Sequence, residues 1–236
     1  MRLCHNDFYW RNNMHCFQQL NQTLDELHLL KHPFYQSWSL GTLSQDVLKI
    51  YASEYYHHVA AFPRYISQIH SLCDDIQDRQ VLLKNLIEEE AGSENHPELW
   101  LRFADGLGVP RQDCHKMATL SQTHALVDGY FNLVNTDYAT GLGALYAYER
   151  QTPTVSESKI DGLKKYYNIN DERSLKFFTV HQKADEWHTE EIAGLIAKLT
   201  QERKTSATQG AVEGAKLLWL FLDGMMQITG KASCCN

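Results

Sequence analysis

Residues 181–188, HQKADEWH, place two imidazoles and a carboxylate at intervals of four and three residues. At about 100° per residue, His181, Asp185 and His188 fall within roughly 60° of one another around a helix axis. The three side chains would therefore form one stripe of potential metal ligands, unless the spacing is a chance pattern on an amphipathic helix. A carboxylate directed inward is costly to bury without a cation or hydrogen bonds, so a metal-binding stripe needs partners elsewhere in the chain.

The rest of the chain has the hydrophobic spacing of helices. Apolar residues recur every three or four positions and no stretch alternates as strands do, so we predict an all-α bundle. Ser44, Asp137 and Asp171 stand at three predicted helix starts, and Pro63 is expected to bend its helix without ending it. The predicted helices are 17–31, 44–70, 76–92, 96–107, 114–135, 137–150, 156–167, 171–202 and 207–229.

Composition limits the possible classes of protein. A chain of 236 residues with 43% hydrophobic content supports one domain over 1–236, with flexible ends at 1–16 and 230–236. The net charge of −7 and the lack of a long Lys/Arg cluster argue against a nucleic-acid partner. No apolar run resembles a signal peptide or a membrane span, which predicts a cytoplasmic location. The six scattered cysteines indicate reduced thiols, and the Cys234–Cys235 pair is interpreted as a frayed end.

The first possible partner of the 181–188 stripe is LIEEEAGSENH, residues 86–96. On a continuous helix, Glu89 and His96 would lie about 20° apart, whereas Glu88 and Glu90 would lie about 80° and 120° from His96. Glu89 is therefore the geometric choice for a second ligand-bearing segment. The glycine and serine in this stretch weaken the assumption that the helix is continuous.

The second possible partner is GLGALYAYERQTP, residues 141–153, in which Glu149 ends an apolar and aromatic helix. Its small residues would let a neighbouring helix approach closely; they are Gly141, Gly143, Ala144 and Ala147. Taken alone, Glu149 would be interpreted as a surface charge at a helix end. A buried position would instead make it a third carboxylate of the same site.

The candidate ligands together comprise three carboxylates and three imidazoles: Glu89, His96, Glu149, His181, Asp185 and His188. Oxygen and nitrogen ligands in this number suit two divalent ions such as iron or manganese, and two such ions would offset the three negative charges. The chain has a single E-x-x-H sequence, Glu54 to His57, whereas ferritin-like di-metal bundles carry one such pair on each of two helices, so that fold is disfavoured.

These segments resemble, in the same order, the family of the chlamydial protein associating with death domains and its bacterial relatives in para-aminobenzoate synthesis. The resemblance implies a heme-oxygenase-like helical bundle, related to TenA and pyrroloquinoline quinone synthase (PqqC), that holds two metal ions in place of heme. It implies that the six residues above are the ligands of two metal ions, either two irons or one iron and one manganese. The landmarks span about 30 to 190 and are HPFYQSW, YASEYYHHVAAFPRYISQIHS, LLKNLIEEEAGSENHPELW, LYAYERQTP and FFTVHQKADEWH.

The resemblance also implies an activity. The family is understood to make para-aminobenzoate, a folate precursor, by oxidising and excising part of one of its own tyrosines, with a lysine supplying the nitrogen. Dioxygen and an external reductant would be needed, and relatives resemble homodimers. By position, Tyr35 matches the consumed tyrosine, Tyr51 and Tyr148 match tyrosines near the metals, and Lys159 matches the amino donor.

Several alternatives stay open at this stage. Without the resemblance, Lys159 would be interpreted as part of an exposed first helical turn, and one of His57 and His58 as a hydrogen-bonded core histidine. A related bundle could oxidise an external small molecule, which an absence of bound iron or manganese would favour. An acidic helical surface could instead bind host death domains. A metal store is the last alternative, although six ligands saturate two ions and leave no mineral cavity.

Overall fold

The computed structural model describes residues 20–233, and for 183–186 and 230–233 it describes the backbone alone. Within 20–233 the chain forms helices and no strand, which confirms the predicted all-α class. A 3-10 turn at Leu29–Lys31 joins the first two helices. Numbered in chain order, the helices are α1 (20–26), α2 (Pro33–Leu40), α3 (Gln45–Ser71), α4 (Ile76–Glu90), α5 (His96–Gly106), α6 (Arg111–Cys114), α7 (Ser121–Thr136), α8 (Tyr138–Glu149), α9 (Thr152–Tyr166), α10 (Glu172–Ala197) and α11 (Gln201–Ser233).

The helix starts indicated by the sequence are confirmed. The Ser44 hydroxyl accepts a hydrogen bond from the Val47 amide, and Asp137 accepts two from the first turn of α8. Asp171 caps α10 in the same way. These side chains satisfy amides that the first helical turn leaves without a partner. Helix α3 continues through Pro63, as predicted.

The predicted helix 17–31 is wrong at its end, and α2 was not predicted. The α1 helix ends at residue 26, and α2 begins after His32, whose Nδ1 accepts a hydrogen bond from the Phe34 amide at 3.1 Å. Pro33 occupies the first helical position, where its missing N–H costs nothing. Histidine is not among the usual capping residues, so this helix start could not be predicted from the usual capping pattern.

The predicted helix 114–135 is also wrong, because α7 begins only at residue 121. The buried Glu54 carboxylate of α3 accepts hydrogen bonds from the Thr119 amide at 2.8 Å and from the Thr123 hydroxyl at 2.6 Å. Glu54 lies far from α7 in the sequence, so local patterns could not reveal these hydrogen bonds to the start of the helix. The predicted 171–202 likewise runs too far, since Thr200 already accepts a hydrogen bond from the Arg203 amide at the start of α11.

Helix α8 lies at the centre of the bundle. All twelve of its residues are buried, and it packs against α7, α10 and α11. The predicted close approach of a neighbouring helix is confirmed: a Cβ atom on Gly143 would collide with the carbonyl of Ala207 in α11. A Cβ atom on Gly210 of α11 would collide in turn with the carbonyl of Thr140. The backbones of α8 and α11 are therefore in direct contact.

Gly143→Ala is expected to destabilise the protein by about 1–3 kcal/mol, because the added methyl group must push two helix backbones apart. Gly194→Ala is the matched control, since a Cβ atom there meets nothing within 4 Å and the position is exposed. The control should be neutral or slightly stabilising, as alanine favours helix over glycine. Urea unfolding of the three proteins tests this, and equal loss in both variants would contradict the contact.

Residues 1–16, part of the predicted flexible ends, lie outside the described residues, and the backbone of 230–233 continues α11. Cys73 and Cys114 are buried free thiols, whereas the Cys234–Cys235 pair lies outside the described residues. Within 20–233, no helix combines the length and apolar character that crossing a membrane requires.

Candidate functional site

The turn between α4 and α5 brings Glu89 and His96 together. Gly92 has a φ of +79°, a left-handed conformation that glycine adopts without strain, and Asn95 caps α5. The two buried side chains meet with His96 Nδ1 2.7 Å from Glu89 Oε2. The two helices are separate, as the predicted ranges 76–92 and 96–107 have them, and the continuous helix that was assumed in ranking Glu89 first is not formed, since α4 ends at Glu90. Glu89 and His96 are in contact because the chain turns between α4 and α5.

His181 of α10 completes a compact group with this pair. One potential ligand atom from each of Glu89, His96 and His181 lies within 4.8 Å of the other two, and all three residues are buried. His181 Nδ1 donates to the Phe177 carbonyl at 2.6 Å, which leaves Nε2 as the lone-pair nitrogen. Burial, with a further contribution from His96, holds the pKa of His181 well below its ordinary value. A neutral imidazole oriented by such a bond is the form that binds metal.

Glu149 is buried and belongs to the same region. It is the last residue of α8, and Asn85 of α4 donates a hydrogen bond from Nδ2 to its Oε1 at 2.7 Å. The surface-charge interpretation of Glu149 is therefore wrong. Asn85 was missed by the sequence reasoning, although it precedes Glu89 by one helical turn and so lies on the same face of α4.

His188 contacts a different carboxylate of α4. Its ring is buried, and Nε2 lies 3.0 Å from Oε2 of Glu88, the residue that helical geometry had ranked behind Glu89. Consecutive carboxylates of α4 thus contact two different imidazoles. The α10 backbone carries Asp185 between His181 and His188, but the Asp185 side chain lies outside the described part of the structure.

Four tyrosines form a series of contacts that begins beside Glu149. The adjacent Tyr148 is hydrogen-bonded to Tyr55, and the Tyr55 ring stacks on Tyr51 with centroids 5.4 Å apart. The Tyr51 hydroxyl lies 3.0 Å from that of Tyr35. Burial raises the pKa of each of the last three phenols, so they are protonated at neutral pH. Tyr55 was not predicted, although it follows Tyr51 by one helical turn.

Lys159 faces the same tyrosines from α9. The interpretation of this lysine as part of an exposed first turn is wrong: α9 begins at Thr152, and Lys159 is buried in its interior. Desolvation lowers its pKa to about 7, so much of the amine is neutral near physiological pH. Its Nζ lies 5.2–5.5 Å from the centroids of five rings, those of Tyr35, Tyr51, Tyr55, Trp100 and Phe178. We call Tyr35, Tyr51, Tyr55 and Lys159 the tyrosine–lysine cluster.

Lys159→Met is expected to stabilise the metal-free protein, and by more at lower pH. The folded-state pKa of about 7 lies below the ordinary 10.5, so burying the amine costs free energy once it must be protonated. This cost is absent above pH 10.5, grows as the pH falls and is complete below about pH 7. At about 1.4 kcal/mol per pKa unit it amounts to several kcal/mol. Denaturant unfolding between pH 6 and about 10 measures this free-energy cost. The control is Lys164→Met, since Lys164 is an exposed lysine of α9. If the stability of both variants changes equally with pH, the burial of Lys159 is contradicted.

His58 is the inward-facing member of the His57–His58 pair. It is fully buried, but neither ring nitrogen has a hydrogen-bond partner among the described residues, so the prediction of a hydrogen-bonded core histidine is wrong. Its ring packs against Tyr130 and Tyr148, with centroids 4.9 and 5.3 Å away. Burial lowers the pKa of His58 to about 3, so the ring is neutral.

The chain is similar to known proteins over most of its length. The family of iron-containing redox enzymes matches residues 49–220. A 4-aminobenzoate synthase of Chlamydia pneumoniae is 40% identical over 217 residues, covering 91% of this chain and 96% of that protein. This similarity is high enough, and long enough, to establish a shared family.

Solved structures with lower identity share the fold. A CADD-like protein of unknown function from Nostoc punctiforme superposes with a TM-score of 0.76 at 18% identity, covering 92% of this chain and 98% of that one. A TenA homolog from Pseudomonas syringae gives a TM-score of 0.75 at 21% identity, covering 89% and 92%. The predicted heme-oxygenase-like, TenA-type bundle is thereby confirmed.

Proposed function

Because the chain belongs to the 4-aminobenzoate synthase family of iron-containing redox enzymes, we propose that it forms 4-aminobenzoate, for folate synthesis, from its own Tyr35. The observation that carries this proposal is the tyrosine–lysine cluster, in which a phenol and a partly neutral amine are buried together. 4-Aminobenzoate is a ring with a carboxylate opposite an amine. Tyrosine supplies such a ring if its Cβ becomes the carboxylate carbon and its hydroxyl gives way to nitrogen.

The positions of the two groups suit this exchange. Tyr35 on α2 and Lys159 on α9 approach from different helices, and the Lys159 Nζ lies 5.4 Å from the Tyr35 ring centroid. Their burial excludes water, which would compete with the amine for an oxidised ring. Only the neutral amine is a nucleophile, and the lowered pKa of Lys159 supplies that form near pH 7.

We further propose a centre of two divalent ions, either two irons or iron with manganese. The residues fit such ions, because the close group around His181 offers buried oxygen and nitrogen atoms in reach of one another. When bound, the ions would use dioxygen and electrons from an external reductant to supply oxidising equivalents. The proposed ligands are Glu89, His96, Glu149, His181, Asp185 and His188.

The four tyrosines offer a path between this centre and Tyr35. Burial keeps the phenols protonated, so each oxidation must release a proton together with an electron. Tyr148 stands next to Glu149 in the chain and is hydrogen-bonded to Tyr55. The Tyr51 hydroxyl, which contacts the Tyr35 hydroxyl, can accept the proton that Tyr35 releases. Tyr148, Tyr55 and Tyr51 would thus relay the oxidation to Tyr35.

Isotope labelling tests the proposal. The protein is produced with ring-carbon-13 tyrosine and ε-nitrogen-15 lysine, purified, loaded with metal and allowed to react with unlabelled dioxygen and reductant. The product should carry both labels, and protein with one labelled amino acid should give product with that label alone. An unlabelled product would show an external precursor and contradict self-sacrifice. A product with the ring label only would contradict the role of Lys159.

A cytoplasmic location and a homodimer are part of the same proposal, and the homodimer rests on the family resemblance. Sedimentation analysis of the purified full chain tests the dimer, which a monomer at micromolar concentration would contradict.

A further inference from the structure

Glu88 is exposed to solvent and also contacts a buried histidine. Its side chain is 37% exposed, yet its Oε2 lies 3.0 Å from Nε2 of His188, which is only 1% exposed. The neighbouring Glu89 is buried and contacts His96 instead. Glu88 is therefore a carboxylate that reaches from the surface of α4 to an imidazole of the proposed metal centre without belonging to the six proposed ligands.

The spacing of this pair suits a shared metal ion. Oxygen and nitrogen ligands lie about 2.0–2.2 Å from a divalent transition metal, so two adjacent ligands on one ion lie about 3 Å apart. The 3.0 Å between Glu88 Oε2 and His188 Nε2 has this value. One ion could thus bind both atoms without a change in the backbone. A half-exposed carboxylate can also take up a hydrated ion before the ion has lost all of its water.

Among the described residues, Lys84 does not form an ion pair with Glu88. Lys84 precedes Glu88 by one helical turn, where an ion pair between the two would normally form. The Lys84 Nζ instead lies 3.7 Å from Oε1 of Glu191 and over the ring of the half-exposed Trp187. The lysine is thus directed to α10, beside the point where Glu88 meets His188.

We propose that Glu88 is the metal-loading residue of this protein: it captures a divalent cation at the surface and transfers it to His188, and then releases it. The inference rests on the proposed metal centre and concerns how that centre is filled. A loading residue lowers the barrier for passage in both directions, so it changes the rates of uptake and release while the affinity stays the same. A resident ligand would change the affinity.

The experiment uses metal-free full-length protein and cobalt(II), whose visible absorption changes when nitrogen and oxygen ligands replace water. Stopped-flow mixing gives the uptake rate, excess chelator gives the release rate, and elemental analysis after desalting gives the number of bound ions. Glu88→Gln keeps the size of the side chain and removes its charge. Glu90→Gln, an exposed glutamate at the end of α4, is the matched control.

Glu88→Gln should slow uptake and release by about tenfold or more, a barrier change of about 1.4 kcal/mol, with unchanged stoichiometry and final spectrum. Glu90→Gln should match the wild type. Wild-type rates in Glu88→Gln would overturn the proposal, and so would weaker binding or fewer ions at an unchanged uptake rate, which would make Glu88 a resident ligand. A wild-type protein that binds no cobalt would overturn the proposed metal centre itself.

Discussion

Tyr35→Phe is expected to abolish 4-aminobenzoate formation while the protein still folds and binds metal. The substitution removes only the hydroxyl that lies 3.0 Å from the Tyr51 hydroxyl. Phenylalanine has no phenolic proton to release, so its ring is far harder to oxidise than that of tyrosine. We expect the initial rate of product formation to fall by about 1,000-fold or more, which corresponds to a barrier increase of about 4 kcal/mol. Mass spectrometry of the reaction mixture measures the product.

The control for this variant is Tyr146→Phe, which removes a hydroxyl from another buried tyrosine. Tyr146 donates its hydrogen bond to Asn21 and lies outside the tyrosine–lysine cluster. Each substitution removes one hydrogen bond and should cost about 1 kcal/mol of stability. Only Tyr35→Phe should lose the product. Wild-type yield from Tyr35→Phe would show that another ring is consumed.

His181→Ala is expected to remove bound metal and, with it, all product. His181 supplies one of the three potential ligand atoms that lie within 4.8 Å of one another, and its orientation is set by the Phe177 carbonyl. Loss of a supporting residue around a metal site costs about 10–100-fold in affinity, so loss of a ligand should cost about 100-fold or more. Elemental analysis after anaerobic loading measures the bound iron and manganese.

His57→Ala is the control for this second variant, since His57 is a half-buried imidazole of α3 outside the proposed ligand set. It should keep wild-type metal content and product. A His181→Ala protein that retains two tightly bound ions would mean that His181 is not a ligand, and the close group with Glu89 and His96 would then be a hydrogen-bonded core cluster.

Local patterns in the sequence were sufficient to predict features that lie within a single helix, such as its buried face and its N-cap. The spacing in HQKADEWH predicted a helix with its histidines on one side, and His181 and His188 are both buried on α10. Ser44 and Asp137 marked helix starts because an N-cap bonds to amides only two or three residues away. Such contacts follow from neighbouring residues alone.

Contacts between distant segments could not be predicted in this way. Glu54 accepts hydrogen bonds at the start of α7, and Asn85 donates one to Glu149, only because α3, α4, α7 and α8 pack together. The burial of Lys159 has the same origin, since the polar sequence around it resembles a surface helix until α9 packs against α10 and α2. Its proposed role came from the family resemblance and not from any local pattern.

The alternative functions differ in whether they require the tyrosine–lysine cluster. An external substrate, a death-domain partner and a metal store give no reason for a buried lysine among three tyrosines beside candidate metal ligands. Synthesis from the chain's own Tyr35 requires such a cluster, because ring and nitrogen must come from within the protein. The family relationship to 4-aminobenzoate synthases supports 4-aminobenzoate as the product.

The most direct test of self-sacrifice counts product and altered protein in the same tube. Purified protein is loaded anaerobically with iron and manganese, separately and together, and then given dioxygen and reductant. We predict that 4-aminobenzoate stops at or below one equivalent per chain, and that an equal fraction of chains shows mass changes at Tyr35 and Lys159. Product that continues to accumulate linearly beyond one equivalent, with every chain intact, would contradict the proposal that the protein is its own substrate.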